Sequence, residues 1–257
     1  MSADGGLQAR RHIITELGFR TALVGDEMHG TASVTLQMHV PGTGHLRTSI
    51  LATWADNLAG LLAVVALAPR VPVTLELDVH LYRPAPGDGV VRGVGRTVKA
   101  GRSVFVASVE FTSGLGEPVA VGAGSFMAAP DPAVTMHARP GADPPPPDGR
   151  LTMPFAERAG CERQRPGVAV LPRSEDGLNS SNTVNGGLIA LAAEEAVLSL
   201  APGATLCSLG LRYLQAVRAG PVVATARIRD GLGQVDLRDA GNGGRLSVTA
   251  TARTFGV

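Results

Sequence analysis

Apolar residues along the chain switch between two periods, and the switches mark out its elements. Residues 31–40 alternate as a strand does, in the run TASVTLQMHV. A loop with Pro41, Gly42 and Gly44 follows. Then Ile50, Leu51, Trp54, Leu58, Leu61, Leu62 and Val65 recur at helical spacing, which predicts a helix over 48–67. Past Pro69 and Pro72 the period falls to two, so Val73, Leu75, Leu77, Val79 and Leu81 should share one face of a strand over 73–82. Further strands are expected over 89–98, 103–112 and 118–127, the first two separated by a turn at Ala100–Gly101. The order is strand, helix, then four antiparallel strands.

The second half repeats that order. A short strand over 168–171 precedes a helix over 186–200 with Leu188, Leu191, Ala192 and Leu198, and strands follow over 205–214, 222–229, 234–239 and 245–255. Leu77-Asp78-Val79-His80 aligns with Leu209-Gly210-Leu211-Arg212. A repeat of about 130 residues is too long for a solenoid unit and points to a duplicated domain. Between the halves lie Pro130, Pro132, Pro140 and Pro144 to Pro147, a composition that stays extended and cannot form a helix or a central strand. The expected division is a first domain over 1–128, a linker over 129–150 and a second domain over 151–257. A long helix before a strand meander can bury its apolar stripe only on one face of a curled sheet. Edge strands of two such units can pair, which would give one continuous sheet.

Composition narrows the chemistry. The chain has 257 residues, 44% of them apolar and 18% charged, which suits packed domains and not disorder. A net charge of +1 gives no electrostatic footprint for nucleic acid. Lys99 is the sole lysine among many arginines. The first twenty residues carry Asp4, Arg10, Arg11 and Glu16 without an apolar stretch, and the apolar run 58–69 is too short to span a bilayer. With only Cys161 and Cys207, the expectation is a soluble cytoplasmic protein with free thiols. His39, His45 and His80 lack metal-ligand spacing, and no phosphate loop or Gly-x-Ser-x-Gly elbow is present, so neither a metal nor a cofactor is expected.

The helix openings carry the most specific signal. Asn185-Gly186-Gly187 begins the second helix, with Glu194 nine residues after Asn185; Arg47-Thr48-Ser49 begins the first, with Asp56 nine residues after Arg47. This pattern resembles the PaaI-type hotdog thioesterases, in which a His-Gly-Gly triplet opens the helix and an acid follows nine residues later. Asn185 stands where that family has histidine. The resemblance implies an α+β chain of two tandem hotdog folds, each a long helix wrapped by a curled antiparallel sheet, acting on an acyl-CoA thioester. It also implies sites shared between units. One unit supplies the helix opening and a polar residue six positions before the triplet; the other supplies the acid and a hydroxyl eighteen residues after it. Carried over, that set is Asn179, Asn185 and Gly186 from the second half, with Asp56 and Thr74 from the first. Chemically, helix-start amides can hold a developing oxyanion, glycine lets the substrate approach, and a carboxylate can act as base or nucleophile.

The reciprocal set is poorer: Pro41, Arg47 and Thr48 with Glu194, and Arg212 eighteen residues after that acid. One competent site and one degenerate site are therefore expected. Plainer readings stand beside these. Glu194 next to Glu195 has the look of a solvated face, and Asn179-Ser180-Ser181-Asn182 could simply cap the helix. Asp56 is less easily set aside, because Ser49, Ala52, Thr53, Ala59 and Gly60 give its surroundings a small-residue character. Arg96, Lys99 and Arg102 around the Ala100–Gly101 turn are candidates for coenzyme A phosphates, or an ordinary solvated hairpin. The competing function is a non-catalytic hotdog protein that binds an acyl ligand or a partner. A hotdog hydratase would need a histidine that the expected positions lack. A transcriptional regulator would need a DNA-binding module. A tandem chain is already a pseudo-dimer, so a monomer and a homo-oligomer are both compatible with it.

Overall fold

The structure, a computed structural model, describes residues 12–136 and 150–255. In the first half, β1 (Arg20–Val24) and β2 (Glu27–Ser33) precede helix α1 (Thr48–Leu67), which is followed by β3 (Pro72–Leu81), β4 (Val90–Ala100), β5 (Phe105–Ser113) and β6 (Pro118–Ala128). The second half has a short helix α2 (Phe155–Arg158), strands β7 (Glu162–Arg165) and β8 (Val168–Leu171), helix α3 (Gly186–Leu198), and then β9 (Leu206–Tyr213), β10 (Val222–Arg229), β11 (Leu232–Asp239) and β12 (Arg245–Thr254). All twelve strands form one sheet in the order β1-β2-β4-β5-β6-β3-β9-β12-β11-β10-β8-β7. Read outward from its centre, that order is the same on both sides. Each half is a hotdog: a helix laid on one antiparallel sheet.

The halves join where β3 pairs with β9, through Leu77–Leu211, Asp78–Gly210 and Val79–Leu209. Asp78 and Gly210 are equivalent in the repeat alignment, so a pseudo-two-fold axis passes through their pair. A side chain at Gly210 would meet the Asp78 carboxylate and displace it. On the outer face Arg212 meets Asp78 at 2.9 Å and Glu76 at 3.2 Å. Arg212 therefore staples the two central strands and lies away from the helix face, where the sequence count had put it in the second site.

Helix α1 packs over β2 to β6 and reaches β9 and α3. Ile50, Leu51, Trp54, Leu58 and Leu62 are fully or almost fully buried, and each such side chain contributes roughly 1.5–3 kcal/mol. Phe19 stacks on Trp54 with ring centroids 5.0 Å apart. Val65, expected on the buried stripe, is 49% exposed. By length and composition α1 could cross a membrane, which the shorter run 58–69 did not suggest. Its burial between sheet and second helix accounts for that apolar character.

Two departures from the expected elements bear on the site. The strand predicted over 31–40 ends at Ser33, and a single 3₁₀ turn at Leu36–Met38 breaks the alternation and leaves Leu36 exposed. Each half also has two strands before its helix, where one was expected. The linker expected over 129–150 falls mostly outside the described residues. Its first part stays with the first half, since Met136 N–H donates to Pro69 O at 2.8 Å. The 3₁₀ turn Ile13–Leu17 docks on the second half: His12 Nε2 lies 2.7 Å from Leu178 O, and Arg158 pairs with both Glu16 and Asp176. Cys161 and Cys207 are unpaired.

Candidate active site

Helices α1 and α3 lie antiparallel across the β3–β9 seam, because Thr53 faces Gly187 while Thr48 and Ser49 face Glu194. A side chain at Gly187 would run into Thr53, so glycine sets the close approach of the helices. Each helix thus opens beside the middle of the other, which creates two symmetry-related clefts.

In the first cleft the structure brings together Asp56, Thr74 and Gly186. Thr74 Oγ1 donates to Asp56 Oδ1 at 3.0 Å. Strict alternation would turn Thr74 away from the helix, on the opposite face to Leu77. A bulge between Thr74 and Glu76 absorbs Leu75 and returns Thr74 to the helix face. Asp56 Oδ2 lies 3.5 Å from the point where a Gly186 Cβ would sit. Burial of the Asp56 carboxyl lifts its pKa from 3.8 to about 6, against the opposing pull of the Thr74 hydrogen bond. At neutral pH the group is ionised and only weakly stabilised, as a base must be.

The opening of α3 is arranged around the same point. Asn185 is its N-cap, and its Oδ1 accepts from Gly187 N–H at 2.8 Å. Asparagine is among the residues best suited to that cap, since its amide oxygen reaches an otherwise unpaired helix-start N–H. Among the described residues the Gly186 N–H has no acceptor, so it remains available at the positive end of the helix. Tyr213, which sequence reasoning missed, donates from Oη to Gly186 O at 3.2 Å. Burial, then the Asp56 charge, push its pKa well above the ordinary phenol value. The signal was present in the repeat alignment, where the residue after Arg212 is tyrosine and the residue after His80 is leucine.

Asn179 is not in this group. It is exposed, and its Oδ1 accepts from Ser181 N–H at 3.0 Å and Thr183 N–H at 3.1 Å. Its visible work is to shape the loop before α3; it does not cap the helix, a role that falls to Asn185.

The second cleft is filled from within. Glu194 is fully buried, and Glu195 is 4% exposed, so the pair is no solvated face. Glu194 Oε1 accepts from Thr48 N–H at 2.9 Å and Ser49 N–H at 3.3 Å, while Oε2 accepts from Ser49 Oγ at 2.6 Å and Arg47 Nη1 at 3.1 Å. Arg47 Nη1 also reaches Glu195 at 2.6 Å. Burial alone would lower the Arg47 pKa, and the two carboxylates reverse that into a net rise. The count of eighteen residues fails here because α3 is shorter than α1. The position equivalent to Thr74 is Leu206, which pairs with Thr254 as Thr74 pairs with Phe126. Glu194 is one methylene longer than Asp56 and bonds to the helix amides; among the described residues Asp56 makes no such bond at the start of α3.

The basic turn divides as well. Arg96 is held by Glu27 at 2.6 Å and Glu110 at 2.9 Å, so it is not free for a phosphate. Lys99 and Arg102 are exposed. The register Ala100–Phe105, Phe105–Phe126 and Phe126–Thr74 puts their hairpin at the Thr74 end of the sheet, three strands away, or roughly 14 Å. No cluster of metal-ligating side chains occurs among the described residues.

Replacing Thr74 by valine removes the one hydrogen bond that holds the Asp56 pKa down. The expected result is an acid limb of the kcat/KM profile moved to higher pH, with little change in rate at pH 9. An unmoved limb would show that Thr74 does not set the ionisation of Asp56.

Comparison with known proteins agrees with this architecture. Residues 43–120 match the sequence profile of the thioesterase superfamily. No curated protein matches the chain in sequence. Among solved structures, an acyl-ACP thioesterase from Bacteroides thetaiotaomicron VPI-5482 is similar with a TM-score of 0.64 at 12% identity, over 90% of this chain and 98% of that one. The 12:0-ACP thioesterase from Umbellularia californica is similar with a TM-score of 0.64 at 12% identity, over 91% of this chain and 99% of that one. At such identities the likeness speaks for the fold.

Proposed function

We propose that the chain hydrolyses an acyl-CoA thioester to the acid and free coenzyme A, at one composite site formed by Asp56 and Thr74 with the opening of α3. The observation that carries this reading is a weakly stabilised carboxylate set beside a helix start whose first N–H has no acceptor among the described residues. The match of residues 43–120 to the thioesterase superfamily supports it, and the Asn185-Gly186-Gly187 opening keeps it close to the PaaI type. The thioester carbonyl oxygen accepts from Gly186 N–H, where the helix end favours the negative charge that develops on attack. Asp56 takes a proton from water as the water oxygen bonds to the acyl carbon. The carbon–sulfur bond then breaks, and the departing thiolate recovers the proton. Lys99 and Arg102 supply the charge for coenzyme A phosphates. The unpaired thiols of Cys161 and Cys207 suit a reducing compartment.

The test is thiol release from acetyl-, medium-chain, long-chain and aryl-acyl-CoA, with the matching acyl carrier protein thioesters in parallel. Cleavage of one or more CoA thioesters is expected. Cleavage confined to the carrier-protein series would move the substrate class. A panel silent throughout, with saturable acyl-CoA binding, would favour the non-catalytic reading.

A further inference from the structure

The two ends of the β3–β9 seam differ in a way that singles out one more residue. Pairing stops at Glu76–Arg212 on one side and at His80–Ser208 on the other. Beyond the first end lie Thr74 and Tyr213; beyond the second lie Leu81 and Leu206, both buried. Two hydroxyls therefore occupy the end where the helix amide is free, and two leucines the end where Glu194 has filled it.

The Tyr213 hydroxyl binds the Gly186 carbonyl, and Asn185 Oδ1 binds the Gly187 N–H. That carbonyl and that N–H belong to one planar peptide group. The first peptide of α3 is thus pinned at both ends. Two successive glycines would otherwise leave this turn free to fray, since glycine has the widest backbone freedom of any residue. We infer that Tyr213 is a positioning residue, which fixes the first turn of α3 so that the Gly186 N–H is aimed at the reacting carbonyl; this deepens the reading of the Asp56 cleft as the thioester site. The phenol proton is directed at the Gly186 carbonyl and not at a leaving thiolate, which suits a positioning role.

The experiment compares Tyr213→Phe and Tyr213→Ala with wild type, on a thioester that wild type cleaves. Tyr213→Phe keeps the ring and loses only the hydroxyl, and should lower kcat about 10-fold, roughly one oriented hydrogen bond, with KM little changed. Its acid limb should stay near the wild-type position, because the burial that raises the Asp56 pKa to about 6 is retained. Tyr213→Ala admits water, and its limb should move towards the ordinary carboxylate range. A purely structural tyrosine would give neither the kcat-only loss nor this split. Amide exchange at Gly187, read by NMR, should speed up about 10-fold in Tyr213→Phe as the turn loosens. Wild-type kcat in the phenylalanine variant, or unchanged Gly187 exchange, overturns the inference. The exchange readout needs no turnover, so it separates a failure of this inference from a wild-type protein that cleaves no thioester.

Discussion

Asp56→Asn should cut thiol release roughly 10²–10⁴-fold, the usual worth of a positioned base, and at the same time make the protein more stable at pH 8. The two effects share one cause. The folded state lifts the Asp56 pKa from 3.8 to about 6, chiefly by burial. Between those values the native protein binds more protons than the unfolded chain, so stability falls as pH rises through the window. Above it the ionised carboxylate costs the fold at most roughly 3 kcal/mol, less whatever cleft water screens. Asparagine has nearly the same shape, can still accept from Thr74 Oγ1, and carries no charge to desolvate. Its melting temperature should therefore exceed wild type by a few degrees at pH 8, at roughly 2–4 °C per kcal/mol for a chain of this size, and the two should coincide below pH 4. Thiol release and thermal scans at both pH values check it. Activity within 10-fold of wild type, or an equal stability difference at every pH, would remove Asp56 from the proposed role. A site that is costly to maintain and useful to the reaction is a common form of the trade between stability and activity.

Much of the fold was legible because its elements are strongly periodic. The helix over 48–67 and the strands over 168–171 and 222–229 have the bounds that the apolar pattern predicts. The misses are of another kind. Strands β1 and β7 lie at the two outer edges of the sheet, where one or both faces meet solvent and alternation fades. In the site, Asp56 and Gly186 were readable from the nine-residue spacing and the glycine pair. Thr74 was reached by the count of eighteen residues, although its own strand pattern contradicted it. Only the bulge at Leu75 reconciles the two, and a bulge leaves little trace in sequence. The same count applied to Glu194 gave Arg212, since the difference in helix length between α1 and α3 shifts the register of everything after it. Glu194 and Glu195 were misread as surface because burial of a carboxylate depends on partners from the other half, and no local pattern encodes Arg47 as one of them.

Glu194→Gln should destabilise the protein by about 3–5 kcal/mol, the usual result of removing one partner from a buried ion pair, and leave kcat per folded molecule unchanged. Arg47 is 1% exposed and would keep only Glu195, with Arg47 Nε already lacking a partner among the described residues. Glutamine can still accept from the Thr48 and Ser49 amides, yet its NH₂ end would confront the Arg47 guanidinium at the place where Oε2 now accepts two hydrogen bonds. The melting temperature should fall by roughly 6–20 °C. Replacing Arg47 and Glu194 together, by methionine and leucine, should cost less than Glu194→Gln alone, because no buried charge is then stranded by that pair. This outcome tests the division of labour between the clefts. Asp56, one methylene shorter, leaves the α3 amide to a substrate oxygen in the proposed reaction; Glu194 already occupies the equivalent amides of α1. If Glu194→Gln instead abolished turnover in protein that remains folded, and Asp56→Asn did not, the working cleft would be the one at the start of α1.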